Sequence, residues 1–180
     1  MLPPTVQLQP GETERFAETQ RLVDNHLVRV LLPLETLVVT GVLIAVGASA
    51  PPSKQATLAV VWFLVAIVMP ALLFTIGVRS VVTDRRLIVK WWPPLPGRDL
   101  RLDEIISATP ITYQPISGAG GWGWRISPKY HRAFNMSGDQ GVLIRTGDGH
   151  RDQFLLGSKR TPELAAAIGK ENEPRPSGSA

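Results

Sequence analysis

Two stretches of the chain hold almost no polar residue. Ala56 to Val78, ATLAVVWFLVAIVMPALLFTIGV, has no charge at all. As a helix rising ~1.5 Å per residue it covers about 34 Å, enough to cross a hydrocarbon core of ~30 Å. Pro70 inside it predicts a kink rather than an end, because neighbouring groups in lipid can take up the freed carbonyl. The other stretch, residues 31–50, includes Pro33 and Glu35. An ionised Glu at the bilayer centre costs roughly 2.5–3.5 kcal/mol on insertion scales. Glu35 is therefore expected near the cytoplasmic end of its span, where its side chain can reach the headgroups. A functional intramembrane carboxylate is the alternative, and the second span offers no basic residue to pair with it. The connection SAPPSKQ is short, and Pro51, Pro52 and Ser53 suit a tight turn. Spans over 31–50 and 56–78 thus form a transmembrane α-hairpin, residues 31–78.

Residues 1–30 make an N-terminal arm. Phe16, Gln20, Val23, Leu27 and Val30 recur near one helical face, with Glu18, Arg21 and Asp24 off it. That spacing predicts a partly amphipathic helix, lying at the interface or continuing into the membrane. A plain cytoplasmic extension is the alternative. Residues 1–10 carry three prolines and no charge, so no basic region leads into an apolar core as in a signal peptide.

After Val78 the period falls to two. RSVVT and LIVKWW, joined at Asp84, Arg85 and Arg86, read as a β-hairpin. WPPLPGRD is a loop, and DLRLDEIISAT holds a third strand and room for a fourth. Further strands are expected at Ile111 to Gln114, Trp122 to Ile126, Ala133 to Met136, Gly141 to Thr146 and Gln153 to Leu156. TGDGH places a hairpin turn on Asp148-Gly149. A helix follows, with Thr161 as N-cap, Pro162 in the first position and Glu163 in the first turn. The domain expected is residues 79–169, and residues 170–180 have the composition of a disordered tail.

Charge sets the orientation. The turn between the spans has only Lys54, whereas the arm carries Arg15, Arg21 and Arg29 and the other flank Arg79, Arg85, Arg86 and Lys90. The positive-inside rule then puts both termini in the cytoplasm. From residue 79 onward 15 Lys/Arg stand against 10 Asp/Glu, an excess that suits an anionic membrane surface. Nucleic acid is a poor alternative without a reading module. Cysteine is absent, which excludes disulfides and thiolate chemistry.

VVTDRRLIV followed by RDLRLDEIISA resembles the bacterial pleckstrin-homology-like (PH-like) domains of small membrane proteins, with their Thr-(Asp/Asn)-Arg-Arg-Leu hairpin straight after a transmembrane hairpin. ETQR at Glu18 to Arg21, GGWGWR at Gly120 to Arg125, AFNMSGDQGV at Ala133 to Val142 and LLGSKRTPELAAAI at Leu155 to Ile168 are similar to a family of bacterial two-span membrane proteins with such a cytoplasmic domain. The resemblance implies a membrane α-hairpin plus an α+β, mainly β domain: a bent antiparallel barrel capped by a C-terminal helix. It implies a cell (inner) membrane location. It supplies no reaction, catalytic residue, cofactor or established ligand.

No strong catalytic motif appears. Gly118, Gly120 and Gly123 formally satisfy G-x-G-x-x-G, but Pro115 lies upstream and no helix follows, so nucleotide binding is not expected. Trp122 and Trp124, two apart, would share a strand face, as core or as an exposed platform. Asn135, Ser137 and Asp139 are expected to satisfy backbone groups in a turn around Gly138. His26, His131 and His150 are widely separated, without metal-ligand spacing. Arg79, Arg85, Arg86 and Lys90 follow the second span, where basic residues meet anionic lipid diffusely or hold a phosphorylated headgroup. The function expected is a non-enzymatic membrane-anchored interaction module. Its contacts would come from Arg79, Arg85, Arg86, Lys90, Trp122 and Trp124; its partners are membrane lipids and a membrane or cytoplasmic protein. A lipid-headgroup sensor is the alternative.

Overall fold

The computed structural model describes residues 5–169; the proline-rich start (1–4) and the tail expected to be disordered (170–180) lie outside the described residues. The chain divides into two units. One joins the N-terminal segment through Gln20 to everything from Gly77 onward; the other is Arg21–Ile76.

The second unit is a helical pair. Helix α1 spans His26–Ala48, and Asn25 caps it by accepting a hydrogen bond from the Leu27 N–H at 3.0 Å. Helix α2 spans Pro52–Leu73. Both are long and apolar enough to cross a membrane. Within α2, Phe63–Val68 widens into a π-helical turn just ahead of Pro70. Pro70 has no N–H and its ring crowds the carbonyl four residues back, so the ladder loosens there instead of ending. The Trp62 indole N–H donates to Thr40 Oγ1 at 2.9 Å, a polar contact between the two helices. Because α1 begins at His26, Glu35 is its tenth residue, about 14 Å along the axis and close to its middle, not near its end. Glu35 Oε2 is buried without a partner.

The first unit is α+β. Strands β1 (Glu14–Arg21), β2 (Gly77–Thr83), β3 (Arg86–Trp92) and β4 (Arg98–Arg101) form a four-stranded sheet in that order. Strands β5 (Ser107–Thr112), β6 (Gly123–Ser127), β7 (His131–Asn135), β8 (Gln140–Arg145) and β9 (Gln153–Gly157) form a second sheet, ordered β5-β8-β9-β7-β6. The helix α3, Thr161–Ile168, packs on β5 and β8 of one sheet and β2 of the other. Leu164, Ala165 and Ile168 are its buried apolar residues.

Alternation along β3 sends Leu87, Val89 and Trp91 to one face, and Trp91 meets Phe134 of the second sheet at 6.2 Å between ring centroids. Phe134 meets Phe154 edge-on at 5.7 Å. These rings, with Val142, Ile144 and Leu156, are the core between the sheets. The other face of the second sheet is buried as well: Ala133 and Leu155 pack with Tyr113, Ala119 and Tyr130 from the connections around β6.

Three expectations change. Residues 14–21 are a strand, not part of an amphipathic helix, and all but Arg21 belong to the α+β unit. The second sheet is mixed, because β9 lies between β7 and β8 and runs parallel to β7. Neither sheet closes on itself, so hydrogen bonding does not complete a barrel.

Candidate functional site

Thr83 builds the β2–β3 turn. Its hydroxyl oxygen accepts from the N–H groups of Arg85 (3.2 Å) and Arg86 (3.0 Å), satisfying donors that the tight turn leaves free. The turn puts Arg85 at the tip, its side chain 60% exposed, with Asp84 at 3.8 Å. Arg86 turns back. Its Nε donates to Glu12 Oε1 at 2.7 Å and its Nη2 to Glu12 Oε2 at 2.9 Å, a two-point grip on one carboxylate. Nη1 donates to Asp99 at 2.8 Å and Nη2 also reaches the Gln7 carbonyl at 3.4 Å. The Arg86 side chain is 15% exposed and that of Glu12 is fully covered. The hydrogen bond from Arg86 holds the Glu12 carboxyl below its ordinary range, with the Gln9 N–H adding to it. The same bond raises Arg86.

A surface pocket of about 610 Å³ opens beside this clasp. Arg85, Arg86 and Arg101 line it, but so do Glu12, Asp84, Asp99 and Asp103. Arg101 is already held by Asp103 at 2.6 Å. An anion entering here meets four carboxylates as well as three guanidinium groups.

The basic residues singled out in the sequence do not converge. Arg79 and Lys90 are cross-strand partners. Lys90 lies four residues from Arg86 along β3, about 13 Å at ~3.3 Å per residue. Arg85 lies beyond Thr83, six residues and roughly 20 Å along β2 from Gly77, where the chain leaves the helices. Trp122 and Trp124 do not share a strand face. The strand starts at Gly123, whose φ of +104° breaks the two-residue repeat between them. Trp122 donates to the Gly138 carbonyl at 3.4 Å, and both rings are half-buried.

The family-like motifs prove to be partners of one another. Asn135 is fully buried, and its amide N–H groups reach the carbonyls of Gly121 (3.3 Å) and Gly123 (3.2 Å) while its oxygen accepts from the Tyr113 hydroxyl at 3.1 Å. One buried side chain therefore ties AFNMSG to GGWG. Glu18 accepts from the Ser158 hydroxyl and from the Lys159 N–H at 2.9 Å, and Gln20 donates to the Gly157 carbonyl at 2.9 Å. Those bonds tie ETQR to LLGSKR. The signal in the sequence was the joint presence of these motifs; nothing local said that they touch.

Residues missed in the sequence gather elsewhere. His131 and His150, nineteen positions apart, stack edge to face at 6.1 Å between ring centroids. Arg98 lays its guanidinium over the Phe154 ring at 5.6 Å. Among the described residues no group of three or more His, Asp or Glu side chains is arranged to hold a metal ion.

Compared with protein-family models, curated proteins and solved structures, the chain matches none of them.

Proposed function

We propose that the chain is a two-span protein of the cell membrane whose α+β unit is a PH-like interaction module on the cytoplasmic face, without an enzymatic reaction of its own. One observation carries the reading: a pair of helices, each long and apolar enough to span, is inserted between β1 and β2, neighbouring strands of a single sheet. The chain leaves that sheet, passes through two apolar helices and returns to it. Support for the PH-like part comes from a four-stranded sheet with a basic first hairpin, a second sheet after it, and a final helix packed on both. Positive charge on the flanks of the helical pair supports the cytoplasmic side.

Binding of a lipid headgroup at the first hairpin is the weaker reading. Arg86, the residue best placed to grip phosphate there, is spent on Glu12 and Asp99. That leaves exposed Arg85 to act as a diffuse charge.

Photo-crosslinking in intact cells tests the proposal. A crosslinking residue at Arg85 or at Ile116, an apolar side chain of the α+β unit left exposed, is expected to give discrete protein adducts in the full-length chain. Adducts to lipid alone, or none from either position, would overturn the interaction module.

A further inference from the structure

The strongest unexplained feature of the α+β unit is a gathering of cations around Phe154. Arg98 begins β4 and lies over the Phe154 ring. Arg132 is the Cα partner of Phe154 in the β7–β9 ladder, so its side chain leaves the sheet on the Phe154 side. Beside it, His131 meets His150 of the 3₁₀ turn His150–Asp152, and Arg151 follows in that turn. Three segments distant in sequence thus deliver three guanidinium groups and two imidazoles to one place.

Three observations mark this half-exposed cluster as a site. First, Arg98 Nε is buried and has no hydrogen-bond partner. A buried charged donor without an acceptor is costly and needs an explanation. Second, no carboxylate among the described residues pairs with Arg98, Arg132 or Arg151. Asp152, in the same turn, directs its carboxylate to the Gly149 N–H at 3.1 Å. Third, His131 holds a backbone φ of +58°, uncommon for a residue with a Cβ and often found where function requires it. The cations also work against one another. Burial first and Arg132 second oppose the charge of Arg98. Burial lowers the pKa of His131, and Arg132, His150, Arg151 and Arg98 lower it further.

The donor set selects the ligand. Gln153 Nε2 donates to the Lys129 carbonyl at 3.1 Å and lies 3.0 Å from His150 Nδ1. With Nδ1 as the acceptor, the neutral His150 ring carries its proton on Nε2, where it can donate. Guanidinium groups match the oxygens of phosphate in two-point contacts, and a dianion answers several cations at once.

We propose that Arg98, Arg132, Arg151, His131 and His150 form a binding site for a phosphate group, carried by a free phosphate, a phosphomonoester or a phospholipid headgroup. The bound dianion meets the outer guanidinium nitrogens of Arg98, whose Nε is covered, and offsets the mutual repulsion of the cluster. The site is separate from the Arg85–Arg86 hairpin, and it stands whether or not the interaction-module reading holds.

The chain has three histidines, so their ring NMR signals report the site directly. The probe is inorganic phosphate, added at constant ionic strength to the full-length chain in neutral phosphatidylcholine nanodiscs, with chloride as control. A second set of nanodiscs contains phosphatidic acid. The expected result is a saturable shift of His131 and His150, with His26 unmoved, and a rise in the pH at which His131 takes up its proton. The groups that lower that pH are Arg132, His150, Arg151 and Arg98; Lys129 and Asp152 flank them, and only the added anion differs between samples. Arg98→Gln and Arg132→Gln each weaken binding roughly tenfold or more, as loss of a hydrogen bond between charged groups implies. Arg85→Gln leaves it unchanged. Arg151→Gln, on an exposed turn, tests the site without threatening the core. A response to phosphate in neutral nanodiscs assigns a soluble ligand, and a response only with phosphatidic acid assigns the headgroup. No saturable shift in either, or one untouched by all three cluster variants, overturns the site.

Discussion

Single side chains carry much of the tertiary specification of the α+β unit. Asn135 makes three hydrogen bonds at full burial, and nothing of similar size and shape can replace all of them. Asn135→Ala removes the donors to the half-buried Gly121 and Gly123 carbonyls, at about 0.5–1.5 kcal/mol for each hydrogen bond lost. The expected outcome is a lower melting midpoint, with faster amide exchange confined first to residues 119–124; a variant as stable as the parent would mean that the loop is held otherwise. Glu12 gives a pH signature. Its folded pKa lies below the ordinary carboxyl value, so the unfolded chain binds the proton more readily. The stability from the Arg86 clasp is then complete above about pH 4.5 and fades as pH falls through the folded value. Glu12→Gln should flatten the acid limb of the stability curve and lower the curve at and above neutrality without changing its slope there. An unchanged acid limb, measured by chemical denaturation across pH, would remove the clasp as its cause.

Elements depend on partners as much as on period. Phe16 and Gln20 are both buried and four apart, a spacing shared by a helical face and by every second residue of a strand. Glu18 decides between them. In β1 it lies on the same face as both, where the Ser158 hydroxyl and Lys159 N–H receive its carboxylate. A charged residue on the buried side reads as the polar face of a helix until those partners are known. Helix α3 is the opposite case, since Pro162, the apolar pair four apart and the left-handed Gly169 specify it locally. Leu164 is wholly buried. Leu164→Ala is expected to cost ~2–5 kcal/mol, read as a lower denaturation midpoint of the full-length chain. No change would show that α3 does not pack on the sheets as described.

At the scale of the whole molecule, the pairing of β1 with β2 constrains topology. Strands that exchange hydrogen bonds lie on one side of a membrane, so the helical pair between them must cross an even number of times. The absence of cysteine makes this directly measurable. A single cysteine at Ser53 of the full-length chain should react with a membrane-impermeant thiol reagent added outside intact cells, and cysteines at Thr5 and Gly169 should react only after lysis. Labelling of Thr5 and Gly169 from outside with Ser53 protected would invert the orientation. Protection of all three in intact cells would remove the two-span reading.

The sequence alone determined what local composition and period encode: two apolar helices with a proline-rich turn, the basic β-hairpin after them, most later strands and the C-terminal helix. Each of these follows from contacts or solvent preferences within a few residues. Other features depend on pairs far apart in the chain, such as Arg86 with Glu12 across 74 positions and Ser158 with Glu18 across 140. Only the tertiary structure could show that Arg86 is neutralised, that residues 14–21 form a strand and that Glu35 sits near the middle of its helix. The same holds for the cations around Phe154. Local pattern records which side chains are charged, and folding decides which of those charges meet a counter-charge and which are left to bind one.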